Sequence, residues 1–535
     1  MCGIIVHLGT DSAAKKLVES GIKNLESRGP ENTRLIQVTD GVTFGFTRLA
    51  INGLTISGMQ PFHKGNITWM CNGEIYNSNE LNTSLGIINA GSDCFCIGDL
   101  YLRHKDNLAE FARSLDGVFA LAIYDAEMGR LIMARDPYGI RPLYVGTNKE
   151  TVTFASEMKA LPNVSNARHI LPGTLEVYDV NSLCLLETIR YNSLPSNTDL
   201  SYTLDSAKVA IRSSLLAAVE KRMLTDRPIA ALLSGGLDSS LIASLIQRIL
   251  KNNGLPPLRT FSIGFQGSSD LKHAKIVADY IGSNHTEVVM TPDVFFNAIP
   301  EVIKAIESYD TTTVRASVGN YLISKEIRLR TDSKVVFNGD GADELFGGYL
   351  YFNKAPSDAD FHAETARLLE NIYMFDVLRS DRSISSNGLE ARTPYLDKSF
   401  VALVHSLDPS FLRPIQGEQV EKSILREALR GDNLLPLEIL MRRKEAFSDG
   451  VSSPEKSWFQ EIQDRVLKCI PYDWKKQTFN MTHLAPQSAE DYYYRTIYNS
   501  YYPDSEKVNV PYKWMPMWSP ETTDPSARTL NVYSD

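Results

Sequence analysis

Two hydrophobic rhythms run along this chain and exchange once, and that exchange constrains the fold more than any single motif does. Up to about residue 190, short β-rich runs (GIIVHLG, GVTFGFTRLAI, NITWMCNGEIY, GVFALAIYD, RLIMARD, LYVGT, TVTFAS and GTLEVYDV) alternate with clusters of Gly, Asn and Asp. Helical spacing surfaces there only at 12–26 and near 96–114, where Leu100, Leu102 and Leu108 recur. Strand-length runs bounded by turn residues predict an α+β unit over 1–190. The stretch YNSLPSNTDLSYT, 191–203, has no apolar period and reads as a linker. Beyond it, over 204–535, the order becomes an amphipathic helix at about 204–223, IAALL, a helix from Leu237, TFSIGF, a helix near 271–282 and HTEVVM. Two longer helical stretches then precede KVVFNG. Strands alternating with helices predict an α/β parallel sheet covered on both faces, with ligands bound beyond the carboxyl ends of the strands. From about 350 the pattern is mainly helical.

Composition narrows the functional classes. A chain of 535 residues exceeds one ordinary core and suggests two domains. Hydrophobic residues at 43% and charged ones at 22% are the proportions of a folded globular protein. A net charge of -9 without a basic run opposes nucleic-acid binding. No apolar stretch approaches the roughly 20 residues of a membrane span, and no signal-peptide pattern opens the chain. The six cysteines are sparse and irregular, so a cytoplasmic location with reduced thiols is expected. Cys94 and Cys96 lack a second Cys or His pair, which argues against structural zinc. The tyrosines between Tyr492 and Tyr502 have no interleaved Lys and Arg, so packed or surface aromatics are expected rather than base stacking.

Two loops at strand ends carry chemistry. SGGLDSS, Ser234 to Ser240, joins IAALL to a helix, and backbone amides at such a helix start can converge on an anion. It lacks the Lys-Ser/Thr ending of a Walker A loop, and a short S-G-G alone is better explained by a turn with capping Ser and Asp. The whole heptapeptide resembles the pyrophosphate loop of ATP-pyrophosphatase domains, whose members cleave ATP between its α and β phosphates. That resemblance implies that Ser234, Gly235, Gly236, Ser239 and Ser240 cradle pyrophosphate, that Asp238 helps hold Mg²⁺, and that Leu232 and Ile263 line the adenine site. KVVFNG delivers a second loop, NGDGADELFGGY, at another strand end. Two such loops on one sheet favour a shared MgATP crevice over two solvated turns.

At the other end of the chain stands MCGI. If Met1 is removed, Cys2 carries a thiol and a free α-amine, and an N-terminal nucleophile can use its own amine as base. A cysteine beside a first strand more often simply packs. CNGEIYN, Cys71 to Asn77, offers the Asn72 side-chain amide and the Gly73 N–H as oxyanion donors, although Asn-Gly by itself reads as a β-turn. Together MCGI, RGPE at 28–31, TRLAI at 47–51, CNGEIYN and GSD at 91–93 resemble the glutaminase domain of class II amidotransferases. That likeness implies an αββα sandwich of the N-terminal-nucleophile type, with Cys2 attacking the side-chain amide of glutamine. It further implies that Arg48, with Leu49, Ala50, Ile51 and Asn52, receives the α-carboxylate end, while Asn72, Gly73, Glu74 and Asp93 complete the pocket, the two acids taking the α-ammonium.

RDPYGIRPLY at 135–144, ASEMKAL at 155–161, YDTTTVRAS at 309–317, LEARTPYLD at 389–397, RRKEAFSDG at 442–450 and DPSAR near the C-terminus extend the likeness over nearly the whole chain. In this order they resemble the glutamine-hydrolysing asparagine synthetase family. The resemblance implies adenylation of aspartate by MgATP, an interdomain ammonia tunnel and a homodimer. It assigns Thr312, Thr313 and Arg315 to aspartate, Asn338 and Gly339 to ATP, Asp238 and Asp343 to Mg²⁺, and Asp340 and Lys444 to catalysis, with Arg392 and Asp397 buttressing the aspartate pocket. The chain departs from the family at Ser27, where His is common, at Glu31, where Asp is common, and at Phe95, where Glu is common. NGDG also stands where the family has Ser-Gly-Glu-Gly, and Asp340 is one methylene shorter than that glutamate. Two other readings stay open: an amidotransferase acting on another carboxylate or closing a ring, and a protein retaining only glutaminase activity.

Overall fold

The computed structural model describes residues 1–9, 14–162, 166–415, 420–520, 522, 524 and 525. Of the DPSAR segment, residues 526–528 lie outside them, as do 12 and 13 of the helical stretch expected at 12–26.

The first 190 residues build two six-stranded antiparallel sheets. One runs in the order Ala167–His169, Tyr144–Thr147, Val152–Ala155, Gly3–Leu8, Val42–Arg48 and Asn32–Thr39; the other runs Leu185–Arg190, Thr174–Asp179, Arg130–Arg135, Gly117–Asp125, Ile67–Ile75 and Phe62–Lys64. Both faces of each central strand are buried, and the residues divide by parity. Ile4, Val6 and Leu8 meet Met70, Ala120 and Ala122 between the sheets. Ile5 instead packs on Val18 and Ile22 of helix Ala14–Lys23, and Trp69, Cys71 and Leu121 pack on helices Cys96–His104 and Leu108–Ser114. The layers are therefore helix, sheet, sheet, helix, the expected αββα sandwich.

Three details of the sequence reading are decided here. The β-rich run NITWMCNGEIY forms strand Ile67–Ile75 and the β-turn alternative at Asn72-Gly73 fails, since Asn72 lies opposite Ala120 and Gly73 opposite Phe119. A Cβ at Gly73 would collide with the Val118 carbonyl, so glycine serves close strand approach rather than a bend. The single helical stretch near 96–114 is two helices, broken at Asn107, which caps the second through Glu110 N. Strands Asn32–Thr39 and Leu185–Arg190 escaped notice because both are edge strands with exposed, polar-rich faces.

The second half contains a five-stranded parallel sheet, in the order Asn284–Val289, Arg259–Gly264, Ile229–Leu232, Val335–Phe337 and Glu390–Arg392. Ala231, Leu233, Val335 and Phe337 face helices Leu204–Lys221 and Leu237–Asn252, while Ala230, Phe261, Ile263 and Val336 face Pro292–Ile306 and Thr311–Arg330. Strand Ile229–Leu232 is the first of the five in sequence and lies between two later ones, Arg259–Gly264 and Val335–Phe337, so the winding changes direction at its carboxyl end. A crevice opens there. The edge strand Glu390–Arg392 lies in a region read as helical, three residues being too few to show a period.

The halves share one core and a buried ionic seam, quite apart from 191–203. Met1, Ile5, Val18 and Tyr144 pack in the same cluster as Phe261, Val318 and Ile384. Arg28 donates to Glu157 (2.7 Å), to Asp381 (2.7 Å) and to Ser385 (2.9 Å), all fully buried. Removing one member of such a cluster leaves an uncompensated buried charge.

Candidate active sites at the two ends of the seam

Cys2 enters strand Gly3–Leu8 from the gap between the sheets. Its backbone N–H donates to Asn72 Oδ1 (3.0 Å), and its thiol donates to the Leu49 carbonyl at 3.7 Å. The Asn72 amide nitrogen is buried with no hydrogen-bond partner among the described residues. An unpartnered buried donor beside a nucleophile is the arrangement an oxyanion needs. Burial pushes the thiol up to about 11 in the chain that still carries Met1, whose own amine is buried 3.8 Å from Glu390. In that form Cys2 is a neutral thiol with an amide neighbour.

The pocket residues gather around it. Arg48 donates to Thr55 O (2.8 Å) and to Gly53 O, pinning the loop that carries Leu49 to Asn52. Asn52 donates to Glu74. Asp93 accepts from Ile75 N (2.8 Å) and Ser92 Oγ (3.0 Å). Glu74 and Asp93 are both pushed upward, by burial first, and Glu74 by Asp93 as well. Two neighbouring buried carboxylates, both disfavoured as anions by burial, form a receptive place for an ammonium group. Phe95, the departure from the family pattern, packs edge-on to Phe62 at 5.4 Å and against Trp69 at 5.9 Å, so it fills the core beneath the pocket.

At the carboxyl end of the parallel sheet, one crevice is lined by Leu232, Ser234, Gly236, Asp238, Ser239, Ile263, Asn338, Gly339, Asp340, Asp343, Thr312, Thr313 and Lys444. Helix Leu237–Asn252 begins at Gly236 without a side-chain cap, which leaves its first N–H groups for a ligand. Gly235 adopts φ +75 and lies so close to Ala274 that no side chain fits, and the turn it makes aims Ser234 at Ser239, Oγ to Oγ 3.1 Å. A Cβ at Gly339 would stand 2.7 Å from Ser239 N, so the two loops touch. Gly235 and Ser240 shape the loop from behind; Ser240 is buried in the helix, off the crevice.

Charges in the crevice are already paired. Lys422 Nζ lies 2.6 Å from both oxygens of Asp238 and 2.6 Å from Asp343 Oδ1, and Lys444 Nζ lies 2.5 Å from Asp343 Oδ2. Burial disfavours the Asp343 carboxylate, but Lys422 and Lys444 outweigh it and hold its pKa well below the usual range. Burial likewise opposes the Lys444 ammonium, and Asp343 and Asp238 reverse the sign. The two carboxylates thus converge on one cation-sized point, now taken by an ammonium. Hard oxygen donors on that point suit Mg²⁺ completed by phosphate and water oxygens. Asp340 accepts from Arg379 (2.9 Å), and its pKa is raised by burial against that guanidinium. Asn338 donates through its side chain to Ser380 (2.7 Å).

Some sequence assignments do not meet the crevice. Arg315 is directed away, with two edges of its guanidinium occupied by Glu490 (2.8 and 2.6 Å) and Asp524 (3.0 and 2.8 Å), so it fastens the C-terminal segment instead of lining the crevice. The Thr313 hydroxyl donates to Asp310, the N-cap of helix Thr311–Arg330, whereas the Thr312 hydroxyl is buried and unpartnered among the described residues. The side chains of Arg392 and Asp397 do not buttress this pocket. Arg392 stands 3.6 Å from Glu74, and Asp397 pairs with Arg222 at 2.7 Å. Sequence reasoning missed Lys422, Arg379 and Asp376; all three lie on segments whose only signal is helical spacing.

A cysteine pocket on an αββα sandwich, joined to a nucleotide-type crevice on a parallel sheet, defines a two-part glutamine amidotransferase, and residues 1–190 match the family model described as glutamine amidotransferase domain. Residues 210–360 and 353–528 match the model described as asparagine synthase. The asparagine synthetase [glutamine-hydrolyzing] of Gallus gallus is 40% identical over 569 residues, covering 100% of this chain and 99% of its own. Those of Cricetulus griseus and Homo sapiens are 40% and 39% identical with the same coverage. The chain belongs to the glutamine-hydrolysing asparagine synthetase family.

Proposed function

We propose that the protein makes asparagine from aspartate, ATP and glutamine, with the glutaminase site at Cys2 and the synthetase site in the crevice. The observation that carries this reading is the double contact of one residue: Arg392 reaches Glu74 in the cysteine pocket, and its carbonyl accepts from Asn338 N (3.1 Å) in the crevice loop. Two ligand sites joined by a single strand suit a reaction whose halves must run together.

In this mechanism, loss of Met1 gives Cys2 a free α-amine where its amide now stands, and that amine takes the thiol proton directly or through water. The thiolate attacks the glutamine side-chain carbonyl, and the Asn72 amide and Gly73 N–H receive the oxyanion. Arg48 complements the α-carboxylate, and Glu74 with Asp93 the α-ammonium. Ammonia leaves, and water releases glutamate. In the crevice the aspartate β-carboxylate, with Thr312 beside it, attacks the α-phosphorus of ATP, giving β-aspartyl-AMP. Pyrophosphate departs onto the amides and hydroxyls of Ser234 to Ser239, with Asn338 and Gly339 flanking the nucleotide and Leu232 and Ile263 against its base. Asp238 and Asp343 would hold Mg²⁺, whose chemistry is to neutralise the phosphate charge; Lys422 would shift off them, and Lys444 would turn to the phosphates. Ammonia attacks the acyl-adenylate near Asp340, yielding asparagine and AMP.

The division into a glutaminase unit over 1–190, a linker over 191–203 and a synthetase unit over 204–535 belongs to the same proposal, as do an ammonia passage along the seam, a homodimer and a cytoplasmic location. The test is an assay with aspartate and MgATP plus either glutamine or ammonium, measuring asparagine, AMP and glutamate. Asparagine and AMP in equal amounts under both conditions are expected. Glutamate without asparagine, with ammonium also inert, would leave only a glutaminase.

A further inference from the structure

The parallel sheet has a second opening, at the end of its strands opposite the crevice. Arg227, Arg259, Arg328 and Lys334 line it, with Asn284 and Thr286. Most of this charge has an ordinary explanation. Arg328 and Arg330 close helix Thr311–Arg330 and complement its negative end. Arg259 pairs with Asp332, and Arg227 with Glu31 at 2.9 Å.

Lys334 is different. It is 6% exposed, and among the described residues its ammonium makes no hydrogen bond or salt bridge. Burial, and then Arg328, depress its pKa. Lys334 lines the opening, and there Arg328 and Arg227 disfavour its charge while Glu31 and Asp332 offset them only in part, so the field in the opening stays positive.

We propose that this opening binds a small phosphate-bearing anion, with Lys334 and Arg328 as its principal ligands and Arg227 and Arg259 at the rim. Guanidinium and ammonium groups around one opening suit phosphate oxygens, and Asn284 and Thr286 add neutral donors. The net charge of -9 works against a long polyanion, so the ligand is a compact one.

Binding there would be felt in the cysteine pocket, a consequence that rests on the glutaminase reading. Arg227 Nε donates to the Ala50 carbonyl (2.9 Å), and Glu31 bridges Arg227 to Ala50 N (2.8 Å). An anion competing with Glu31 for Arg227 loosens Ala50, between Arg48 and Asn52.

Equilibrium dialysis of labelled inorganic pyrophosphate against the full-length protein, Lys334→Met and the surface substitution Arg328→Gln tests the site. The expected result is a binding component present in the wild type, absent in Lys334→Met and weakened about tenfold in Arg328→Gln, the scale of one lost charge-assisted contact. Identical binding in all three proteins overturns the site, and Arg328→Gln keeps the test decisive if Lys334→Met does not fold. In a glutaminase assay without ATP, pyrophosphate should raise KM for glutamine in the wild type and not in Arg328→Gln. An unchanged wild-type KM overturns the coupling, and dialysis still reports on the site by itself if no glutaminase activity exists.

Discussion

Asp340 stands where the sequence resemblance implies a glutamate, and its surroundings say what the shorter side chain does. Its carboxylate is fixed by Arg379 at 2.9 Å, and Arg379 is itself held by Asp376 at 2.6 Å, so the charge is positioned from behind even though one methylene is missing. A catalytic carboxylate misplaced by ~1 Å is associated with losses on the order of 100-fold. Asp340→Asn is therefore expected to lower asparagine formation by roughly 100-fold with either nitrogen source while glutamine hydrolysis persists, as measured by separate asparagine and glutamate assays. Asp340→Glu is the informative counterpart: a rise in rate would mean that Arg379 only partly makes up the missing reach. At this scale the cysteine-pocket residues were legible because chemistry confines them to short, dense motifs. Arg315 was not, because YDTTTVRAS gives no sign that Glu490 and Asp524, 175 and 209 residues away, occupy its guanidinium.

Two elements hold the sites in register. The turn at Gly235 requires φ +75 and the absence of a side chain against helix Ser269–Ile281. Gly235→Ala should abolish ATP-dependent asparagine synthesis and leave glutamine hydrolysis intact, since the turn lies on the far sheet. Helix Lys398–Ser406 is capped by Asp397, which also pairs with Lys221 and Arg222. Burial raises the Asp397 pKa, but Arg222 and Lys221 bring it down to about 2. A folded pKa below the unfolded value stabilises above the unfolded pKa and is lost as pH falls through the folded one, so this contribution is complete above about pH 4 and gone near pH 2. It amounts to about 2 kcal/mol. Asp397→Asn should lower unfolding stability by at least about that much at pH 7, by an amount constant from pH 8 to 5 and shrinking below 4, in denaturant titrations. Strands and helices with an apolar period were readable from sequence. Exposed edge strands and the three-residue strand Glu390–Arg392 were not, because neighbours on the sheet define them rather than their own pattern.

Across the whole molecule, the seam through Arg28, Glu157, Asp381 and Arg382 does what no local motif could announce: it ties the cysteine pocket to the synthetase sheet. Arg28 also donates to the Cys2 carbonyl at 3.0 Å, so the seam begins at the nucleophile's own backbone. Asp381→Ala leaves Arg28, Arg141 and Arg382 short of a buried partner and should destabilise the protein by about 3–5 kcal/mol. It should also lower the asparagine formed per glutamate released, read from the two products in one assay. The two-part organisation was visible in the exchange of rhythms near 191–203, whereas the seam was hidden because its members are scattered over some 350 positions, Arg28 and Asp381 being 353 apart. Separable sites serving one reaction are what the molecule must have to work this way, and Cys2→Ala tests that directly. Supplied with aspartate and MgATP, this variant should form no asparagine from glutamine and should form it from ammonium at the wild-type rate. Loss of both activities, or asparagine made from glutamine without the thiol, would contradict it.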